Sequence, residues 1–370
     1  MNILQKIIFI LIASLTVSCG GNKQLQYESI NTENACAEKG GYWYNGKCWT
    51  EFDDDGIAAA DIDKEVEKQM ALIEKTKVNI NGKSYPIDFF FPEQDGGQII
   101  LITIFEDENG AKTMLTIAKE KQFKGEKFDA EAMLLEGDLI AVSEDEAQMS
   151  RMTENPIATG KIQTTVYDFD EIDVAFKGIL KGEKEYQIEY RVNESITGAG
   201  TSKVEVKGNE IHINGELGTR TYHQLKTTIA NHPNAETVVL GQINGSLNDA
   251  VNMHTGRILH EAGLTTKVLK DSQIASGGVD LFCAGKDRIV EKGAKIGIHS
   301  WCCVNDLTAV ELPKEHPAHK YQIAYFTMCM GEEIGPDFYF HTLTSAPFDG
   351  IHWMSDEDIK KWIVATKFLE

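Results

Sequence analysis

The stretch Ile274 to Trp301, IASGGVDLFCAGKDRIVEKGAKIGIHSW, decides how the C-terminal half of this chain is read. Ser276 follows a short polar loop and precedes two glycines, Gly277 and Gly278. An apolar segment of helical character comes next and stops at Ala284-Gly285. Arg288-Ile289-Val290 then reads as a strand, and so does a second run that ends on His299. A hydroxyl at a strand-to-helix turn and an imidazole at the end of a later strand are the parts of a nucleophile and its base. Glycines after the serine let backbone N–H groups approach a reacting carbonyl, as an oxyanion site requires.

Around this stretch the pattern alternates between helix and strand periods. Glu210–Ile213, Thr237–Leu240 and Thr266–Leu269 read as strands, with helices at Tyr222–Asn231 and Asp249–Gly263 between them. Residues 76–198 read differently. Strand-like runs at Thr76–Ile80, Tyr85–Phe91, Gln98–Phe105, Lys112–Ile117, Leu139–Ser143, Gly160–Asp168, Glu171–Leu180 and Glu185–Val192 are separated by glycine-containing turns. Regular short strands of this kind predict an all-β, sandwich-like domain or an open barrel. It carries no catalytic constellation and reads as a spacer, recognition or assembly module. Ile196 to Lys203 is rich in small residues and reads as a linker. The expected fold class is therefore multidomain, with the β-domain at 76–198 followed by an α/β domain at 204–370.

The serine segment resembles the active-site region of the Clp protease proteolytic subunit and its relatives in the ClpP/crotonase superfamily. The resemblance rests on Ala275-Ser276-Gly277-Gly278, Ala284-Gly285, Arg288 and Ile298-His299, and extends over about residues 204–370. The serine and histidine stand 23 residues apart, slightly closer than in the family, and the shortening falls at Lys286-Asp287. The resemblance implies a superhelix of ββα repeats, Ser276 as nucleophile and His299 as general base. It implies an aspartate well after the histidine, for which Asp349 is the nearest carboxylate, with Asp306 and Asp249 as rivals. It also implies oxyanion donors from the N–H groups of Gly277 and of Gly245, although the Gly241–Asp249 loop lacks the family's paired glycines. Ring or stacked homo-oligomers are a further implication.

Ala-Ser-Gly-Gly is also similar to signal peptide peptidase A, which pairs its serine with a lysine. Lys320 would then be the base. Other roles compete for these residues. A serine before a helix is commonly an N-cap, and a strand-end histidine is commonly a hydrogen-bonded structural group. Asp280, inside the apolar helix, is expected to face solvent or to cap. His316 and His319 flank Pro317 without an acidic third ligand and read as a surface helix start, and Cys302-Cys303 lacks ligand spacing. No metal and no cofactor is expected.

The N-terminus fixes the expected compartment. Lys6, the apolar run Ile7–Ile12 and Thr16-Val17-Ser18-Cys19 read as a bacterial lipoprotein signal over 1–18, with Cys19 carrying the lipid. The mature chain would then sit in the cell envelope, with the outer membrane favoured because no aspartate follows Cys19. Residues 19–75 read as a tether, a small loop closed by a Cys36–Cys48 disulfide, and an acidic helix. Asp53-Asp54-Asp55-Gly56 lacks the alternating ligands of a calcium loop. Lys and Arg number 36 against 57 Asp and Glu, a net charge of −21. That balance argues against nucleic-acid binding and leaves membrane attachment to the lipid. The expected function is an exported, lipid-anchored serine peptidase acting on a peptide or protein. The alternative is a non-enzymatic envelope lipoprotein with a binding β-domain.

Overall fold

The computed structural model describes residues 42–44, 47–49, 59–95, 98–118, 134–143, 145–168, 173–303 and 307–369. The signal at 1–18, Cys19, the tether, Cys36 with its expected disulfide to Cys48, and Asp306 lie outside them. Described first is a two-stranded antiparallel ribbon, β1 (Tyr42–Tyr44) with β2 (Lys47–Trp49).

The β-region is one sheet. β3 (Lys77–Ile80), β4 (Lys83–Tyr85), β5 (Phe89–Asp95), β6 (Gln98–Glu106), β7 (Lys112–Ala118), β8 (Leu134–Ala141), β9 (Ala158–Asp168), β10 (Asp173–Gly182) and β11 (Glu185–Val192) are its strands. They run antiparallel in the order β4-β3-β11-β10-β9-β8-β7-β6-β5. The sandwich expected from the strand spacing is therefore not formed. From β5 to β11 every strand pairs with its neighbour in sequence, so no strand leaves for a second layer. Only the β3–β11 pairing is long-range. Helix α1 (Ile62–Ile73) carries Asp63 and Glu65 in its first turn, and it buries Ile62 and Val66 against Tyr222 and Val251 of the C-terminal region. Helix α2 (Glu146–Glu154) is capped by the Asp145 side chain and was not legible as a helix in the sequence.

The C-terminal region is α/β. Strands β12 (Lys203–Lys207), β13 (Glu210–Asn214), β14 (Thr237–Ile243), β15 (Thr265–Ala275), β16 (Arg288–Glu291) and β19 (Lys367–Leu369) lie side by side in that order. All run parallel from β13 onward, while β12 is antiparallel to β13. β15 is long enough to pair first with β16 and then, near its end, with β17 (Lys295–Ile298). β17 in turn pairs with the short β18 (His352–Trp353). The helices are α3 (Thr219–Asn231), α4 (Asp249–Glu261), α5 (Gly277–Cys283), α6 (Lys320–Met330), α7 (Gly335–Ser345) and α8 (Asp356–Lys361). Val238, Leu240, Val268, Ile274 and Ile296 are fully buried in the strands and pack with Leu225, Leu259, Phe282 and Phe338 of the helices. Near-continuous apolar runs such as Val238-Val239-Leu240 suit strands covered on both faces.

The expected linker is a built part of this region. Gly198 O accepts from Thr219 N at 3.0 Å, and Ala199 O accepts from Arg220 N at 2.8 Å. Ala199 has no exposed area. The small residues that suggest flexibility instead let two backbones touch. A side chain on Gly218 would meet Gly198 O at 2.5 Å.

Candidate active site

Parallel pairing brings the carboxyl ends of three strands to one level. Ile243 of β14 is in register with Ile274 of β15, and Ala275 of β15 with Gly297 of β17. The next residues along each strand are Asn244-Gly245, Ser276 and Ile298-His299. Open parallel sheets bind their ligands at such carboxyl ends. Register therefore delivers Asn244-Gly245, Ser276 and His299 to the same end of the sheet, and no hydrogen bond joins Ser276 to His299.

Ser276 is the N-cap of α5 with φ 52° and ψ −127°. A positive φ is unusual for a residue with a Cβ and stores about 1–3 kcal/mol of strain. Its N–H donates to Gly297 O at 3.0 Å, and its carbonyl accepts from Val279 N at 2.7 Å. The backbone is thus clamped on both sides. The hydroxyl makes no hydrogen bond among the described residues, and it caps no helix N–H. The N-cap alternative therefore does not account for the serine side chain. Gly277 is required where it stands, because a Cβ there would lie 2.5 Å from Ser246 Cβ. Gly277 and Gly278 open the helix, so their N–H groups have no intrahelical acceptor. Gly245 lies against the serine, since a Cβ on it would be 3.4 Å from Ser276 Cβ and 3.7 Å from Oγ.

His299 is half-buried, and burial lowers its pKa below the usual imidazole value. The ring rests against the backbone of Ser300 and Phe348, and its Nδ1 is buried without a hydrogen-bond partner. Asp349 does not stand behind it. That carboxylate is exposed and forms no ion pair with His299. The turn Pro347–Gly350, closed by Gly350 N to Pro347 O at 3.0 Å, presents its backbone to the imidazole and turns the aspartate outward. Asp249 is exposed at the start of α4. Lys320 is also exposed, with its Nζ 5.6 Å from the Tyr321 ring centroid.

Three further groups depart from their expected places. Asp280, one turn after Ser276, does not cap. Burial, and after it the charge of Asp249, raises its carboxyl well above the usual range. His316 and His319 are not on the surface, being 3% and 0% exposed. His319 Nδ1 bonds Tyr339 Oη at 2.7 Å, and Trp301 Nε1 donates to the same oxygen at 2.9 Å. Burial lowers His319 to a pKa of about 4, so it is a neutral packing group that braces Trp301. Arg288, which the resemblance places at a strand start, reaches the carbonyls of Val364, Ile363, Gly285 and Cys329 and ties the C-terminal segment to β16. Cys302 and Cys303, in the loop after His299, are joined to each other, and Cys283 is a buried free thiol.

The sequence reading passed over Glu216. It is 9% exposed beyond the end of β13, and its Oε1 accepts from Asn244 Nδ2 at 2.8 Å. Burial raises its pKa to about 7. Glu216 stands between Gly215 and Leu217 in a stretch that also holds His212, Asn214, Thr219 and Arg220, so nothing in the sequence marks it. A surface cleft of about 350 Å³, lined by Lys314, Phe340, His341 and Trp362 among others, includes none of these site groups. Among the described residues no cluster of side chains could hold a metal ion, and no helix is long and apolar enough to cross a membrane.

No protein-family model matches the chain, and no curated protein matches it. Several solved structures resemble part of it. The 1510-N membrane-bound stomatin-specific protease, solved with a substrate peptide, is 21% identical over 42% of this chain and 72% of its own, at a TM-score of 0.32. An enoyl-CoA hydratase from Bacillus halodurans is 12% identical over 46% of this chain and 73% of its own, at 0.30. A ClpP1 mutant from Listeria monocytogenes is 14% identical over 44% of this chain and 91% of its own, also at 0.30. Similarities this low leave the chemistry of the site to its own residues.

Proposed function

We propose that this chain is a serine hydrolase, most simply a peptidase, exported and held at the cell envelope by a lipid on Cys19. Ser276 attacks a carbonyl, and His299 accepts its proton and returns it to the leaving group. The N–H groups of Gly277 and Gly245 face the developing oxyanion. The observation that carries the reading is the backbone of Ser276. A serine held at φ 52° on a strand-to-helix turn, with its hydroxyl uncommitted, is strain without a structural use.

The pair differs from a complete triad, since a backbone turn and not a carboxylate lies against His299. In subsequent turns of such chemistry the carboxylate orients the imidazole, so a slow enzyme is expected. The same feature favours a second reading, a non-enzymatic lipoprotein that keeps the domain as a scaffold. A serine-reactive fluorophosphonate probe separates the two. Labelling of the wild type that disappears in Ser276→Ala supports the hydrolase. Absence of labelling at any pH supports the scaffold.

A further inference from the structure

The loop 244–249 touches the serine segment at two points. A Cβ on Gly245 would be 3.4 Å from Ser276 Cβ, and one on Gly277 would be 2.5 Å from Ser246 Cβ. Backbone holds one side of the loop: Leu217 N donates to Gly245 O and Leu247 N to Leu217 O, each at 2.9 Å. The other side ends on Asn248, the N-cap of α4, whose N–H donates to Ser246 Oγ at 3.1 Å. Asn248 Oδ1 accepts from Val251 N at 3.2 Å. Its amide nitrogen turns away from α4, and Nδ2 donates to Thr219 Oγ1 at 3.2 Å and to Gln69 Oε1 at 3.3 Å.

Gln69 belongs to α1 and stands 179 residues before Asn248. Its Oε1 also accepts from Thr219 Oγ1 at 2.7 Å, and its Nε2 donates to Glu65 Oε1 at 3.0 Å. The amide is thereby fixed with its oxygen toward the loop, and a carbonyl oxygen has lone pairs for both donors. α1 is itself anchored in two cores. Ile62 and Val66 pack with Tyr222 and Val251, Ile73 lies in the core of the β-region, and Met70 packs against both. Asn193 Nδ2 donates to Leu72 O at 2.8 Å, and Tyr222 Oη donates to Asp63 at 2.8 Å.

On the serine-hydrolase reading, we propose that Gln69 is a positioning residue: from α1 it holds Asn248, and through Asn248 the loop that supplies the Gly245 oxyanion donor. Both N–H groups of the Asn248 amide are bonded only while Gln69 is in place. Without that acceptor a half-buried N–H is left unpaired, and the side chain gains by turning toward water. The Ser246–Asn248 backbone moves with it. A displacement of about 1 Å at a reacting group costs about a hundredfold in rate.

The test is fluorophosphonate labelling of Ser276 in the intact protein, resolved into the rate at saturating probe and the probe concentration that gives half that rate. Gln69→Leu removes the acceptor. Gln69→Glu keeps an acceptor oxygen for Asn248 and Thr219. Both variants lose the bond to Glu65, so their comparison isolates the acceptor. Asp63→Ala loosens the far end of α1 and leaves Gln69 unaltered. The saturating rate should fall at least about tenfold in Gln69→Leu with half-saturation unchanged, and stay within about twofold of wild type in Gln69→Glu and Asp63→Ala. An unchanged rate in Gln69→Leu, an equal loss in Gln69→Glu or Asp63→Ala, or a change confined to half-saturation overturns the role of Gln69 and leaves the hydrolase standing. Should Gln69→Leu fail to fold, amide exchange in the unaltered protein decides. The Leu247 N–H should open together with α1, and a Leu247 that stays protected while α1 exchanges overturns the role. No labelling of the wild type overturns the hydrolase reading and this role together.

Discussion

Two residues show how strain and chemistry are coupled at the site. Ser276 holds a positive φ that glycine adopts freely. Ser276→Gly should therefore be more stable than Ser276→Ala by about 1 kcal/mol while both lose labelling, which denaturant unfolding and probe reaction measure together. Equal stability would mean that the conformation carries no strain. His299 acts as a base only when neutral, and burial lowers its pKa. Labelling should therefore persist in acid beyond the usual imidazole midpoint of about 6.5, and His299→Ala should reduce it by about a hundredfold or more. An acid limb above that midpoint would contradict the burial of the ring.

At the scale of elements, strand order and register do the assembling. β15 pairs with β14 and β17 near its end, and this places Asn244-Gly245, Ser276 and His299 at one edge. The C-terminal segment is tied to that sheet through Arg288, whose guanidinium is buried and bonded to four carbonyls. Arg288→Leu would leave those carbonyls unpaired in a closed site. A loss of about 3–5 kcal/mol is expected, with faster amide exchange through β19 than through β14. Uniform exchange across both strands would show that the arginine is not a local tie. Helix α1 is a second tie, because Tyr222 Oη donates to Asp63 at 2.8 Å and Thr219 Oγ1 to Gln69 at 2.7 Å.

For the whole molecule, pH dependence follows from which groups are buried. Glu216, Asp280 and Asp88 have folded pKa values raised by burial. Each binds its proton more tightly when folded, so its contribution to stability is full below the unfolded pKa and is lost as pH rises through the folded one. The lowered values of His299, His316, His319 and His341 act in the opposite sense, and their contribution is complete above about pH 6.5. Beyond that point only losses remain, and self-repulsion from a net charge of −21 adds to them. The thermal midpoint should therefore fall between about pH 6.5 and about pH 8.5, by less in Glu216→Gln than in the wild type. A midpoint that is flat or rising over that range would show these carboxyls to be solvated.

The sequence by itself located most of the strands and the strand-to-helix turn that carries Ser276. Period-two runs with glycine turns located most strands of the β-region, and apolar strands alternating with helix patterns located the α/β region, because both signals are local. Ser276 and the glycines after it were legible for the same reason: a turn, a helix start and small residues are written consecutively. Tertiary structure alone decided the rest, since it depends on what meets across space. Whether nine strands make one layer or two is settled by pairing partners, which periodicity does not encode. Asp349 could be placed near His299 by counting, but only the Pro347–Gly350 turn fixes the direction of its side chain. His316 and His319 look polar in sequence and are buried because Trp301, Tyr339 and Phe340 close around them. Glu216 gains its meaning from a loop 28 residues away, through its bond to Asn244.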